Sequence, residues 1–329
     1  SLASLASADS LLARAESMVP GWVRPPAMRA RSSFRRSFFI VTSTGDVESS
    51  AQELEKGLQH AERAVAIEPS DAYALEQRGS LQYLFYLLDL SNDPDEADAL
   101  LDSAQADLEA AVESDPTLAT AYSVLSHLFY NRSDNVSVVL MARRAYEEDA
   151  YLRDADRILE RLFWAHYDLE QFRDARAWCD EGGQRFPDNH AFVECRLWLQ
   201  VSSSDGSDVD RAWELQQQLT DLAPETQREY EERLGYLLVG GVLMKAGLAD
   251  SAAATLARGK GSEEIDPWQE LLMYEGAIRA TTGDPDGAVL ALRQFLAANP
   301  QQSFDLDAGL HWWWRGLTER EDFQALTRQ

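Results

Sequence analysis

The sequence predicts an all-α protein, a right-handed solenoid of about seven divergent helical pairs. Three observations lead there. First, Ala104 to Tyr130 reads as two helices back to back across Pro116: Ala104, Leu108 and Ala111 recur at helical spacing before it, and Tyr122, Leu125, Ser126 and Phe129 after it. Small side chains at Ala104, Ala111 and Ser126 let two helices approach, and Leu108, Tyr122 and Phe129 fill the remaining space. Second, the turns recur. From Pro20 through Pro69, Pro116, Ala150, Pro187, Pro224 and Pro300 the spacings are 49, 47, 34, 37, 37 and 76 residues, the last covering two units. Third, 45% hydrophobic residues suffice for a core that runs from each pair to the next.

In chain order, residues 1–20 hold a helix with Ala8, Leu12 and Ala15 on one face, the second helix of a pair whose first is missing, with Trp22 and Val23 covering its end. Residues 27–50 start as a helix and turn β-branched and Ser/Thr-rich. Here Arg29, Arg31, Arg35 and Arg36 are interleaved with Phe34, Phe38 and Phe39. One expectation is a docking patch for an acidic partner or another copy of the chain; the other is a longer helix with arginines to water and phenylalanines in the core. Gly57, Ala61, Ala64 and Pro69 mark a second helix and its turn, and Leu75, Gly79, Gln82 and Tyr83 the next first helix. The acids from Asp93 to Asp98 lack the order of a calcium loop and suit a helix start. Val138–Ala150, the helix with Ile158, Leu159, Phe163 and Tyr167, and the run Ala175, Cys179, Gly182, Pro187 continue the series. After the loop SSSDGSD at 202–208 come the long apolar helix YEERLGYLLVGGVLMKAG, its partner at 249–261, a last pair at 267–300 and the closing segments HWWWRG and DFQAL. The domain reading is one array over 1–329: an atypical unit at 1–50, repeats at 51–300 and a cap at 301–329.

The charge is −26, from 56 acidic and 30 basic residues. A nucleic-acid surface is expected to be basic, so nucleic acid is not an expected partner, nor is an anionic membrane. No apolar run approaches the roughly 18–20 residues that span a bilayer. The chain begins at Ser1 without methionine and reads as a mature or excised piece of something larger. The five histidines, His60, His127, His166, His190 and His311, are scattered, and neither HExxH nor CxxC occurs; no enzyme, metal or cofactor is expected. Cys179 and Cys195 lie either side of a turn near Pro187, at similar heights on a helical hairpin. Two buried thiols are the expectation and a bridge the alternative, because direction matters as well as height. Asn131 and Asn135 each begin an Asn-x-Ser sequon.

The pattern at 122–129, aromatic-x-x-Leu-small-x-x-aromatic, resembles the tetratricopeptide repeat. The chain departs from it at Arg78, where Leu is usual, and at Ala150, where Pro is usual. The resemblance implies ligand binding on the concave face of the first helices. By register this selects Tyr73, Glu76 and Tyr83; Ser123, His127 and Tyr130; Arg157, Arg161 and Trp164; then Glu194 and Trp198. Glu76, Ser80, Ser123 and His127 stand where the family's chaperone-tail class has its Lys/Asn/Arg clamp, so that activity is not implied. The segments RFPDNHAFVECRLWL and HWWWRGL with DFQAL also resemble repeat regions attached to bacterial membrane-anchored serine/threonine kinases. That likeness implies a kinase domain and membrane helix before Ser1 and an extracytoplasmic or cell-surface location; no Gly-rich loop, HRD or DFG occurs here.

The expected function is a non-enzymatic scaffold binding a protein or peptide, the sensor or docking region of a larger bacterial protein. The alternative is a structural subunit that stacks end to end into an extracellular filament, with Trp312, Trp313 and Trp314 as a plug for an incomplete first unit; the other expectation for these tryptophans is a terminal cap buried within their own chain. A glycan ligand is a more distant third, from the Trp and Tyr faces.

Overall fold

The computed structural model describes residues 2–91, 93–202, 208–300 and 312–327. The fold is an all-α, tetratricopeptide-like helical solenoid. Helix α1 (Leu2–Met18) precedes seven consecutive pairs. They are α2 (Arg24–Thr44) and α3 (Val47–Ile67), α4 (Ala72–Leu87) and α5 (Pro94–Ser114), α6 (Ala119–Asn131) and α7 (Asn135–Glu148), and α8 (Ala155–Asp168) and α9 (Phe172–Arg185). Then follow α10 (Ala191–Ser202) and α11 (Val209–Leu222), α12 (Arg228–Lys245) and α13 (Ala249–Arg258), and α14 (Glu270–Thr282) and α15 (Pro285–Ala298). A 3-10 helix (Trp312–Leu317) and α16 (Glu321–Thr327) come last. The loop expected at 202–208 falls mostly outside the described residues, as does His311.

Aspartate starts many of these helices. Asp46, Asp71, Asp93, Asp134, Asp208 and Asp284 each accept a hydrogen bond from a backbone N–H of the first turn. Those donors have no partner inside the helix, which is why a short side-chain acceptor is favoured there. The acids at 93–98 follow this rule, with Asp93 capping Asp95 N and Pro94 opening α5.

The chain divides into two compact units, Ser1–Ile158 and Leu159–Gln329. In the first, Leu54, Leu81, Leu108, Leu125 and Leu128 are fully buried, each contributing roughly 1.5–3 kcal/mol relative to exposure. Gly79 sets the distance between α4 and α5. A Cβ there would stand 2.8 Å from Leu108 Cγ and 2.9 Å from the Ala104 carbonyl oxygen. The departure at Arg78 has a partner: Nε and Nη2 grip both oxygens of Asp107 on α5, at 2.5 and 2.6 Å. A planar fork on a carboxylate replaces the apolar contact.

For 27–50 the longer helix is the one found, as α2, with its side chains disposed otherwise than expected. It runs unbroken to Thr44, and Gly45, at φ 69°, ends it. The hydroxyls that compete with helix elsewhere here bond back to it, Thr42 Oγ1 to the Phe38 carbonyl at 2.7 Å and Thr44 Oγ1 to that of Ile40 at 2.7 Å. Buried Ser33 and Ser37 bring α3 close, and Ser37 and Ser50 share a hydrogen bond of 2.7 Å. Of the phenylalanines only Phe34 packs against the core, partly buried beside Ala30, Leu54 and Leu81; Phe38 is 49% and Phe39 48% exposed. Nor do all the arginines face water. Arg29 pairs with Asp9 and Glu16 at 2.9 Å each, and Arg36 with Glu53 at 2.6 Å. Helix α1, which has no buried residue, is held by the Arg29 pairs.

In the second unit α12 is buried almost continuously from Leu234 to Leu243. Its Gly240 and Gly241 admit Leu256 of α13 and Ile278 of α14, each closer than a Cβ would allow. Cys179 on α9 and Cys195 on α10 form a disulfide with Cα atoms 6.1 Å apart, where two thiols were expected. Both side chains point into the α9–α10 contact, a direction that height alone does not give. At the end of the chain Trp313 and Trp314 are buried. Trp313 stacks on Trp198 with centroids 5.5 Å apart, and Trp314 stacks on Phe323 at 6.0 Å. Trp314 lies where a Cβ on Gly276 would be 3.0 Å away. These two tryptophans fill their own unit and are not free to plug another chain.

Candidate functional site

Each unit gathers polar and aromatic side chains on its first helices, and the two gatherings differ. In the first unit the centre is Tyr73 at the start of α4. The Arg24 guanidinium sits 4.0 Å above its ring centroid, a cation–π arrangement. Arg31 Nη1 donates to its hydroxyl at 3.3 Å. Glu76 lies one turn on and is only 4% exposed. Burial pushes its carboxyl up to about 7, although the Arg31 and Arg24 charges pull the other way. Desolvation therefore outweighs two nearby cations. Arg35 is exposed on the next turn of α2. Partial burial and then the neighbouring charges of Arg31 and Arg153 hold its pKa below the usual arginine value, a mark of crowded positive charge.

The remaining candidates of this unit range from buried to exposed. Tyr83 is buried at 3% exposure and Ser123 likewise. Ser123 Oγ donates to Asp154 Oδ2 at 2.7 Å, tying α6 to the turn before α8. His127 packs edge-on against Tyr83 at 5.5 Å, while Tyr130 is 41% exposed and Arg157 exposed. The Asn131 amide donates to the His127 carbonyl at 3.1 Å and to the Tyr83 hydroxyl. Beside Asn131 opens a cleft of about 660 Å³, lined among others by Tyr86, Asp89, Asp93 and Asp98. No group of residues suited to hold a metal ion occurs among the described residues.

In the second unit Glu194 Oε1 accepts from Trp198 Nε1 at 3.0 Å. Burial, reinforced by the Glu231 and Glu160 carboxylates, pushes Glu194 up to about 8. Glu231 Oε1 lies 3.6 Å from His190 Nε2, and this neighbouring carboxylate raises the His190 pKa against the effect of burial. Trp198 is buried, with Trp164 edge-on at 5.9 Å, Tyr274 at 5.5 Å and Trp313 stacked on it. Of the sequence candidates here, Trp198 is thus part of the core, while Trp164, Arg161 and Glu194 are half-buried. The expectation missed Arg24, Arg153 and Glu231. Arg24 was legible, being one more arginine at helical spacing from Arg31. Arg153 and Glu231 come from other pairs and carry no sequence signal.

No protein-family model matches this chain. No curated protein matches it in sequence. Solved structures do. The crystal structure of the APC/C hetero-tetramer Cut9–Hcn1 superposes with a TM-score of 0.51 at 14% identity. The match covers 95% of this chain and 52% of that one, so the chain spans about half of its length. PilF of Pseudomonas aeruginosa gives a TM-score of 0.41 at 13% identity, over 85% of this chain and 96% of PilF. YrrB, described as a TPR protein with an unusual peptide-binding site, gives 0.34 at 15% identity, over 74% and 93%. At 14% identity the likeness to Cut9–Hcn1 is one of fold. No helix among the described residues is long and apolar enough to cross a membrane.

Proposed function

We propose that the chain is a non-enzymatic scaffold that docks a protein or peptide on its first helices, as the sensor or docking region of a larger bacterial protein. The observation that carries this reading is the α2–α4 face, where Arg24 and Arg31 hold half-buried Tyr73 and leave an exposed cationic surface. The likeness of 185–199 and the closing segments to kinase-attached repeats supports membership of a larger protein. The Cys179–Cys195 disulfide supports an extracytoplasmic setting, since such bridges persist in oxidising compartments.

Photo-crosslinking in cells tests the scaffold reading. With benzoylphenylalanine in place of Tyr130 on α6, discrete protein adducts are expected. With the same residue at Leu140 on α7, 56% exposed, they are not. Equal labelling at both, or none at either, overturns it.

A second reading, end-to-end assembly into a filament, is favoured by the apolar edge at α1. Leu11, Met18, Val19 and Trp22 are 62, 77, 52 and 49% exposed. Burial of Trp313 and Trp314 removes the plug first envisaged, so this reading needs another surface to meet that edge. Sedimentation velocity decides it: a concentration-independent monomer excludes a filament.

A further inference from the structure

Helix α2 sorts its arginines onto two stripes. At about 100° per residue, Arg31 and Arg35 stand within roughly 20° of Arg24 about the helix axis, and Met28 and Phe38 within about 40°. Arg29 and Arg36 stand about 120–140° away. That side faces α1 and α3, which supply Asp9, Glu16 and Glu53. One stripe is thus neutralised by the chain's own carboxylates. The other stays open. Arg24, Arg31 and Arg35 are exposed, make no salt bridge among the described residues, and are joined by exposed Arg153 from the turn before α8. Between and beyond them Met28 is 43% and Phe38 49% exposed.

The order Arg24, Met28, Arg31, Arg35, Phe38 puts cation and apolar group one helical turn apart along the stripe. Four guanidinium groups gathered in a chain of charge −26 repel one another, and the adjacent Glu76 is too buried to neutralise them by surface pairing. An external anion relieves that repulsion. Arginine's planar fork suits a carboxylate in particular, and its weak hydration lets it pair beside apolar surface. We propose that the Arg24–Arg31–Arg35–Arg153 cluster, with Met28 and Phe38, docks a partner protein through a segment presenting acidic and apolar side chains at helical spacing. This rests on the scaffold reading and names the chemistry of its partner. Elsewhere the acidic surface repels such a segment, which confines it to this stripe.

The test uses the whole chain and a fluorescein-labelled peptide built as the complement of the stripe, with glutamate opposite each arginine and leucine opposite Met28 and Phe38. Fluorescence anisotropy is expected to show binding that weakens as salt rises and falls at least about tenfold in Arg31→Glu with Arg35→Glu, two exposed charges reversed. Arg211→Glu, a half-buried cation paired with Glu214 in the other unit, should change it less than twofold, and a lysine-for-glutamate peptide should not bind. Should the reversed pair disturb the helical circular dichroism, Arg31→Gln with Arg35→Gln makes the same comparison with a smaller loss. Absence of binding, or equal loss in Arg211→Glu, overturns the proposal. So does a self-association in sedimentation velocity that the reversed pair abolishes, which would make a second copy the occupant. Adducts at position 130 that survive in the reversed pair would leave the scaffold reading standing while the acidic partner fell.

Discussion

Replacing Glu76 with glutamine is expected to stabilise the first unit at pH 8 and to do far less at pH 5. Glu76 is 4% exposed, and burial raises its carboxyl from 4.5 to about 7 despite Arg31 and Arg24. A carboxyl whose folded value is raised favours folding most when protonated in both states, below 4.5. That contribution is lost as pH rises through the folded value, leaving a constant penalty above it. Raising the carboxyl from 4.5 to about 7, at about 1.36 kcal/mol per pH unit, gives a penalty of about 3 kcal/mol at pH 8. Linkage leaves under about 1 kcal/mol at pH 5. Glutamine keeps the shape and has no charge to desolvate. Urea unfolding of wild type and Glu76→Gln, followed by circular dichroism at both pH values, measures the difference. A variant less stable than wild type at pH 8 would refute the reasoning, because it would mean that Glu76 is ionised and held profitably by its two arginines.

Three further outcomes follow from particular contacts. Gly79→Ala should destabilise by about 1–3 kcal/mol in thermal or urea unfolding, since the new methyl meets the Ala104 carbonyl oxygen, which cannot rotate away. Cys179→Ser with Cys195→Ser should cost about 3 kcal/mol by loop closure over a separation of 16 residues; free thiols found by titration in unreduced, denatured protein would contradict the bridge. The His190 imidazole should titrate above its ordinary 6.5 by NMR and return toward it in Glu231→Gln. The stability from that pair is complete below 6.5 and fades as pH rises through the raised value.

The helical pairs were legible because turn residues and small side chains repeat: Pro69, Pro116, Pro187, Pro224 and Pro300 follow second helices, and Ala104, Ala111 and Ala142 mark close approaches. Helix α2 was harder. Ile40, Val41 and Thr42 look extended in isolation, and only packing of Ser33 and Ser37 against α3 and hydroxyl bonds to the helix itself explain their conformation. Once that helix is known to continue, the spacing of its arginines already separates Arg31 and Arg35 from Arg29 and Arg36. The cysteine pair was legible in height and not in direction. Tyr83, Ser123 and Trp198 occupy the expected register, yet sequence spacing could not reveal that Asn131, Asp154 and Trp313 engage them from other elements. The fate of the closing tryptophans depended likewise on residues far away in sequence, Gly276 and Trp198.

The six aspartates that begin helices separate the acidity of this chain from its architecture. What each first turn requires is an oxygen at hydrogen-bonding distance, and asparagine supplies one about as well as aspartate. A chain rewritten with asparagine at Asp46, Asp71, Asp93, Asp134, Asp208 and Asp284 would carry −26 + 6 = −20 and start its helices at the same residues. Alanine at the same positions would remove the same charge and the acceptors with it. Six of the acids therefore serve as punctuation, and the two rewritten chains would tell how far the solenoid depends on its commas rather than on its charge.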